Sequence, residues 1–482
     1  MIVIKFGGTS VGDALRVASA IEIVEARRQQ NPIVVVSALA GVTNELVAAT
    51  EAARASDAAR VDEIIARVRQ RHEDVALQLV QQKIDFFEAF TKQLDKQIDQ
   101  IHTILRGIAL LGEITLRAKD KVVAIGEKLS SVLFAYSMMM RALPGEHVDS
   151  EEVVITDSRF GEASPLMDDT RDAARRVLIP LIERNLIPVM GGFIGRTRDG
   201  ATTTLGRGGS DYSAAIVGAA VGADEIQIWT DVDGMMTCDP RLIPGARVIE
   251  RISYVEAAEL AWFGAKVLHP KTIAPAVEQN IPVRVLNTHN VASAGTLVTA
   301  EGDTRMQGPR AIAVKKGVTV VHMTSNKMLG AHGFLARLFA VFEQLEISVD
   351  LITTSEVSVS VTIDENQNLQ SLVQRLAPVA EVNVIDKQCI VAVVGRHLTH
   401  DSEVAGRIFD ALKGVPIAMF SMGTSGLNLS IVMDEQHADR AVKSIHRALF
   451  EDVIPSVSEG PGRAGGTRLE PTSHPGSSLR SE

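Results

Sequence analysis

The chain has 482 residues, 46% of them hydrophobic and 22% charged, with a formal net charge of −10. This is the composition of a soluble globular protein of about three domains, and its acidic balance sets aside nucleic acid and anionic membranes as expected partners. Cys238 and Cys389 lie far apart and form no metal or disulfide pattern; with no signal-peptide layout and no apolar run expected to span a bilayer, a reducing cytoplasm is the expected compartment.

Ile2-Val3-Ile4 is a short β-branched run that reads as a buried strand; it ends on Lys5 and opens into Phe6-Gly7-Gly8-Thr9-Ser10. Glycines let backbone N–H groups converge on one point, and a lysine adds positive charge where a transferring phosphoryl group is most negative. The stretch therefore suits a phosphate, although an ordinary strand–turn–helix start would use the same glycines. A helix over 14–27 follows, with its N-terminal dipole favouring an anion. Asn31-Pro32 ends it. Ile33 to Val36 is the next strand and runs into Ser37-Ala38-Leu39-Ala40-Gly41-Val42-Thr43-Asn44. Strand, helix and strand make a βαβ unit, hence a parallel sheet that binds ligands at its strand C-terminal ends.

From 45 to 120 the apolar spacing is helical, as at Val61, Ile64, Ile65 and Val68 and at Leu94, Ile98, Ile101 and Leu105. This predicts a helical insertion packed on the sheet, without chemistry of its own. Val122 to Ser130 turns into another helix with Glu127 at its start, where the carboxylate either caps the helix or receives an ammonium group. Strands over 152–156 and 187–190 lead to Gly191-Gly192-Phe193-Ile194-Gly195. Thr202-Thr203-Thr204-Leu205-Gly206-Arg207-Gly208-Gly209-Ser210-Asp211 then precedes a helix from about Tyr212, with Asp211 suited to its first turn. The strand 226–229 delivers Thr230-Asp231-Val232-Asp233-Gly234 and Asp239-Pro240-Arg241, a segment fit for a nucleotide or simply a capped turn. Lys266 follows within 263–270, and a strand over 282–285 closes the sheet.

Two lysines, an arginine and Gly/Thr loops thus converge on one sheet edge. A Walker-type motif, a protein-kinase catalytic loop, a zinc-type Cys/His cluster and a G-x-S-x-G nucleophile are all absent from the sequence. In their order, KFGGTS (5–10), GRGGSD (206–211), WTDVDG (229–234) with DPR (239–241), and FGAKVLHP (263–270) resemble aspartate kinase of the amino acid kinase superfamily, over roughly residues 1–452.

The resemblance implies a parallel-sheet αβα sandwich in residues 1–300. It implies transfer of the ATP γ-phosphoryl group to the side-chain carboxylate of L-aspartate, the first step of lysine, threonine and methionine biosynthesis, with ATP and Mg2+ as cofactors. Lys5 and Asp211 are the implied catalytic residues, Lys5 at the phosphoryl group and Asp211 orienting it or assisting the magnesium shell. ATP would meet Lys5, Gly7, Gly8, Thr9, Thr230, Asp231, Arg241 and Lys266. Aspartate would meet Ser37, Thr43, Glu127 (on its ammonium), Arg207 (on its α-carboxylate), Gly208, Gly209 and Ser210. The chemistry agrees: a carboxylate nucleophile with a pKa of about 3.9 is already ionised and needs no general base. Met236 and Ala124 depart from the family's usual polar choices at their positions.

From about Arg310 a second pattern begins. Strands and helices over 318–323, 334–345, 349–353, 358–363, 369–376 and 381–385 make βαββαβ, a ferredoxin-like unit. It repeats over 390–394, 403–412, 417–422, 427–432 and 438–449 without its last strand, and a spare strand, 310–315, is expected to complete that second sheet. Such pairs resemble ACT domains, here 310–385 and 386–452, and imply a homodimer or homotetramer through them. The run from Ile347 to Glu356 resembles the effector site of lysine-inhibited aspartate kinases. It implies contacts from Met328, Phe334, Leu335, Ser348, Val349, Asp350, Thr354, Ser355 and Glu356, the two acids attracting a cationic amino acid, with Ala331 where a hydroxyl is expected. Residues 455–482, rich in Gly, Pro and Ser, read as a disordered tail. A kinase for another acidic amino acid and a catalytically silent amino-acid sensor are the rival readings.

Overall fold

The structure, a computed structural model, describes residues 1–80, 84–264, 268–364 and 368–451. Lys266 and the expected tail lie outside them. The catalytic half runs β1 (Ile2–Phe6), α1 (Ala14–Glu25), β2 (Pro32–Val36), α2 (Val42–Arg54), α3 (Ala58–Val80), α4 (Ile84–Leu111), α5 (Leu116–Met140), β3 (Gly145–Val148), β4 (Ile155–Thr156) and α6 (Met167–Glu183). It continues with β5 (Ile187–Gly191), β6 (Ile194–Thr197), β7 (Thr202–Thr204), α7 (Gly209–Val221), β8 (Glu225–Thr230), β9 (Arg251–Ser253), α8 (Tyr254–Trp262), α9 (Pro270–Glu278), β10 (Val283–Asn287) and β11 (Thr296–Thr299).

Eight strands form the main sheet in the order β3-β5-β2-β1-β8-β10-β11-β9. The runs of Val and Ile in β1 and β2 are buried on both faces, as parallel strands require. One face packs against α1 to α5, the other against α6 to α9, which makes the αβα sandwich. The described residues between 45 and 120, which are 45–80 and 84–120, form the helical layer over one face. Phe6 stacks on Phe134 of α5 with ring centroids 5.7 Å apart and so ties that layer to the central strand.

Four expectations are corrected. The sheet does not close at β10, because β11 pairs antiparallel with it and carries β9 beyond. The expected strand 152–156 is a 3-10 turn, Ser150–Glu152, followed by the two-residue β4, after a strand, β3, that the sequence hid. Glu127 does not start a helix; α5 begins at Leu116 under a Thr115 cap, which puts Glu127 in mid-helix. Finally, α5 is long and apolar enough to cross a membrane, against the expectation that no run is. However, 78% of its apolar window is buried inside the molecule, where it is the central helix of its layer.

The remaining elements are β12 (Gly308–Thr324), α10 (Phe334–Gln344), β13 (Ile352–Thr354), β14 (Ser358–Asp364), α11 (Leu369–Leu376), β15 (Glu381–Arg396), α12 (Ser402–Ala411), β16 (Met419–Met422), β17 (Asn428–Asp434) and α13 (Ala438–His446). They build one six-stranded antiparallel sheet, β13-β14-β12-β15-β17-β16. Segments expected as separate strands fuse here: 310–315 with 318–323 into β12, and 385 with 390 into β15. The N-terminal half of β12 pairs Ala311 to Lys315 with Val394 to Ile390, beside β17, while its C-terminal half pairs with β14. Each half-sheet thus has the ferredoxin-like order, and the spare strand sits in the second one. The expected strand at 349–353 shrinks to β13, since Asp350 and Leu351 both face Thr362 of β14, which accepts from the Asp350 amide at 2.9 Å and donates to the Leu351 carbonyl at 3.0 Å, a bulge that ends the regular ladder. Arg310 at the start of β12 lies buried 3.5 Å from Glu256 of α8 and joins this sheet to the catalytic half.

Candidate active site

Lys5 on β1 is level with Val35 on β2 and Ile228 on β8, so three parallel strands end together at one edge of the sheet. A cleft of about 360 Å³ opens there, lined by Lys5, Gly8, Ser37 to Gly41, Thr43, Asn44, Glu127, Phe193, Gly206 and Gly208 to Asp211. Three helical N-terminal turns meet in it: the 3-10 turn Gly8–Val11, α2 and α7. Their N-cap residues, Gly7, Gly41 and Gly208, offer no side-chain cap, so first-turn N–H groups are left for an anion. Gly208 adopts φ 71°, the left-handed region in which a side chain is strained. A Cβ on Gly192 would lie 2.6 Å from the Ser210 Cβ, so only glycine lets the start of α7 come this close to the sheet.

The Lys5 ammonium is 2.5 Å from the Asp211 carboxylate, and Lys5 is only 8% exposed. Asp211 stands in the first turn of α7 and fixes the lysine over the cleft. Glu127 is the second buried acid. Burial pushes its carboxyl up to about 8, against the pull of the Ala38 N–H, and its Oε2 has no hydrogen-bond partner. A buried, unpartnered carboxyl oxygen at the wall of a cleft is fitted to receive a cationic group.

The cleft thus gathers Lys5, Gly8, Ser37, Thr43, Glu127, Gly208, Gly209, Ser210 and Asp211. Gly7 lies at its edge, with its N–H spent on the Trp229 carbonyl at 3.2 Å. Thr9 is exposed and outside the lining, its carbonyl accepting from Arg16 at 2.9 Å. Arg207 is exposed on the turn before α7 and does not line the cleft, but its charge helps to lower the His269 imidazole after burial and Lys271. Thr230 donates to Asp231 at 3.2 Å at the end of β8, outside the lining. Arg241 is likewise outside, its guanidinium 2.6 Å from Asp239.

Of the expected effector residues, Phe334 is buried, Met328 and Val349 are half-buried, and Leu335, Ser348, Thr354, Ser355 and Glu356 are exposed. Asp350 is not free: its carboxylate is 2.8 Å from the Lys315 ammonium.

The sequence reading missed two further supports. Phe193, with φ 66°, lines the cleft while its N–H donates to Ser213 Oγ at 2.8 Å; a bulky residue at positive φ was the one signal its motif could not display. Asp120 of α5 accepts from the N–H groups of Gly161 at 2.8 Å and Thr204 at 3.0 Å and from the Thr204 hydroxyl at 2.8 Å, which pins the β6–β7 hairpin beside the cleft. Among the described residues no group of three or more His, Cys, Asp or Glu could hold a metal by itself.

Residues 1–287 match the amino acid kinase family, and 321–372 with 391–449 match the ACT domain. The chain is 36% identical to Aspartokinase 3, chloroplastic, of Arabidopsis thaliana, over 95% of this chain and 83% of that protein. It is 34% identical to Lysine-sensitive aspartokinase 3 of Escherichia coli, over 94% and 99% of the two. Among solved structures it resembles E. coli aspartokinase III in complex with aspartate and ADP (R-state), with a TM-score of 0.80 at 35% identity over 94% of this chain and 100% of that one. The same enzyme with lysine and aspartate (T-state) gives a TM-score of 0.79 at 35% identity and the same coverage. With a phosphate-type cleft on a parallel sheet, a paired ferredoxin-like sheet behind it and this similarity along nearly its full length, the chain belongs to the aspartokinase family.

Proposed function

We propose that the cleft phosphorylates the side-chain carboxylate of L-aspartate with ATP, giving ADP and 4-phospho-L-aspartate, and that lysine bound at the ACT sheet inhibits it. The observation that carries this reading is the pairing, in one cleft, of a buried acid with an unsatisfied oxygen, Glu127, and a cation fixed among three uncapped helical turns, Lys5. A molecule with an ammonium at one end and a reacting carboxylate at the other fits that polarity.

A carboxylate oxygen of aspartate attacks the γ-phosphorus, and the bond from that phosphorus to the ADP oxygen breaks. No proton is removed, so the protein's task is to bring two anions together. Lys5 neutralises the transferring group; Asp211 holds Lys5 in place; the N–H groups at Gly8 and Ser210, both in the cleft lining, bind oxygens that gain charge, while that of Gly209 is held by the Gly206 carbonyl at 3.0 Å. Glu127 takes the substrate ammonium, and with it returns to the ionised form. Ser37 and Thr43 offer hydroxyls to the substrate, and Arg207 reaches its α-carboxylate from the neighbouring turn.

ATP lies along Gly7, Gly8 and Thr9 towards Thr230 and Asp231, where Arg241 would leave Asp239 for a phosphate; Lys266, the other expected ATP contact, lies outside the described residues. Mg2+ arriving with the nucleotide would suit this donor set: Asp211 is the acid that would hold it, since among the described residues no acidic cluster could bind it alone. When bound, the ion adds charge neutralisation between the phosphates.

Met328, Phe334, Leu335, Ser348, Val349, Asp350, Thr354, Ser355 and Glu356 surround the effector. The exposed apolar residues Leu329, Leu335 and, on the edge strand β13, Ile352 favour a homodimer or homotetramer through this sheet. Two free, buried cysteines support a cytoplasmic location.

The test traps acyl phosphate with hydroxylamine and follows ADP on aspartate, glutamate and N-acetylglutamate, with and without lysine, threonine and methionine. Product on aspartate alone, suppressed by lysine, is expected. Equal turnover on another acid, or none on any, would overturn the reading in favour of a different kinase or a silent sensor.

A further inference from the structure

Lys315 occupies a junction that the catalytic account leaves unused. It sits on β12 at the shift in register before Val318, where the two half-sheets meet. Its ammonium is 2.8 Å from Asp350 and 2.8 Å from Asp364, and 5.7 Å from the centre of the Trp262 ring on α8. The Asp350 side chain is 4% exposed and Asp364 is 68% exposed, so Lys315 bridges a buried acid and an outer, solvated one. The same stretch of β12 presses on the catalytic half: a Cβ on Gly264, which has φ 113°, would come within 2.5 Å of the Val314 carbonyl. From Trp262, α8 packs on α9, and Thr272 of α9 would touch a Cβ on Gly208, the residue that opens α7 at the cleft.

We propose that Lys315 is an internal stand-in for the effector: its ammonium fills the acidic seat at Asp350 that the ammonium of a bound lysine would take, so effector binding expels it and removes it from Trp262. This rests on the reading of 328–356 as a lysine site. Lys315 already holds Asp350 Oδ2, so a second ammonium at that oxygen would stand close to the first and be repelled, and the two compete for the seat. The uninhibited enzyme is then the state in which Lys315 joins the regulatory sheet to α8, and the inhibited one has lost that tie. The apparent affinity for lysine is reduced by the fraction of time the seat is filled from within.

The test uses the full chain and titrates L-lysine calorimetrically into the wild type, Lys315→Met and Asp364→Asn. If the seat is free a tenth of the time, Lys315→Met binds lysine about tenfold more tightly. Asp364→Asn, a change at an exposed position that leaves Asp350 paired, tightens binding in the same direction by a smaller factor. The chain has two tryptophans, Trp229, which is fully buried, and Trp262. Saturating lysine should therefore change the fluorescence of Trp262, a response lost in Trp262→Phe and in Lys315→Met. Lysine that binds the wild type and inhibits it, yet binds both charge variants equally or less tightly, overturns the stand-in while leaving the effector site in place. A wild type that binds no lysine overturns both.

Discussion

Glu127→Gln keeps the shape of a buried side chain and removes its charge. Burial raises the wild-type carboxyl from an ordinary 4.5 to about 8. Between those values the folded protein holds a proton that the unfolded chain has released, so the contribution of Glu127 to stability is present at low pH and is lost as pH rises through that window. At about 1.4 kcal/mol per pH unit, the interval from 4.5 to about 8 sets a ceiling of about 5 kcal/mol. Relaxation and water entering the cleft lower the working figure to about 2–3 kcal/mol.

Glutamine is neutral throughout, so the variant should gain on the wild type by that amount between pH 5 and pH 9, a few degrees in Tm. All other titrating groups are common to the two proteins and cancel. The same carboxyl must ionise to hold the substrate ammonium, so at pH 7 wild-type aspartate binding should release about one proton to buffer. The variant should bind aspartate about 100-fold more weakly, the loss of one charge-assisted contact. Parallel Tm profiles for the two proteins, together with proton-neutral binding at pH 7, would refute the reasoning.

Asp120→Ala strands the N–H of Gly161, in the loop after β4, and the N–H and hydroxyl of Thr204 on β7, and should cost about 2–4 kcal/mol in denaturant unfolding; an unchanged midpoint would show that water replaces the carboxylate. Gly192→Ala drives a Cβ into Ser210, so α7 must shift, and the KM for aspartate should rise at least about tenfold with a stability loss of about 1–3 kcal/mol. Arg310→Ala leaves Glu256 buried without its cation and should destabilise the joint between the two halves by about 3–5 kcal/mol, visible as an earlier, separate unfolding step.

Much of the fold could be read from local pattern. The β-branched runs at β1, β2 and β8 and the glycines before α7 set both the parallel sheet and the edge where Lys5, Gly208 and Asp211 meet. The pairing of residues 310–315 with the second half-sheet was legible because one unit had a strand too many and the other too few.

What failed has physical causes. Val122 to Ile125 is a short apolar run that suits a strand or a buried helix equally, and only the surrounding layer decides it, which is why Glu127 was placed at a helix start. Asp120 meets its partners 41 and 84 residues away, a distance with no local signature. The ion pair of Arg241 with Asp239, two residues back, was not anticipated, because a DPR turn shows its charges but not which of them meet. Asp350 pairs with Lys315, 35 residues earlier, and nothing in the sequence shows that the two meet.

The central claim is that a fixed cation, rather than a base, makes this reaction possible. Lys5→Ala measures it directly, by acyl-phosphate formation from ATP and aspartate alongside calorimetric binding of aspartate. The account predicts a fall in kcat of about 10²–10³ with aspartate affinity held within a few fold. A variant that keeps its kcat within tenfold of the wild type would contradict it.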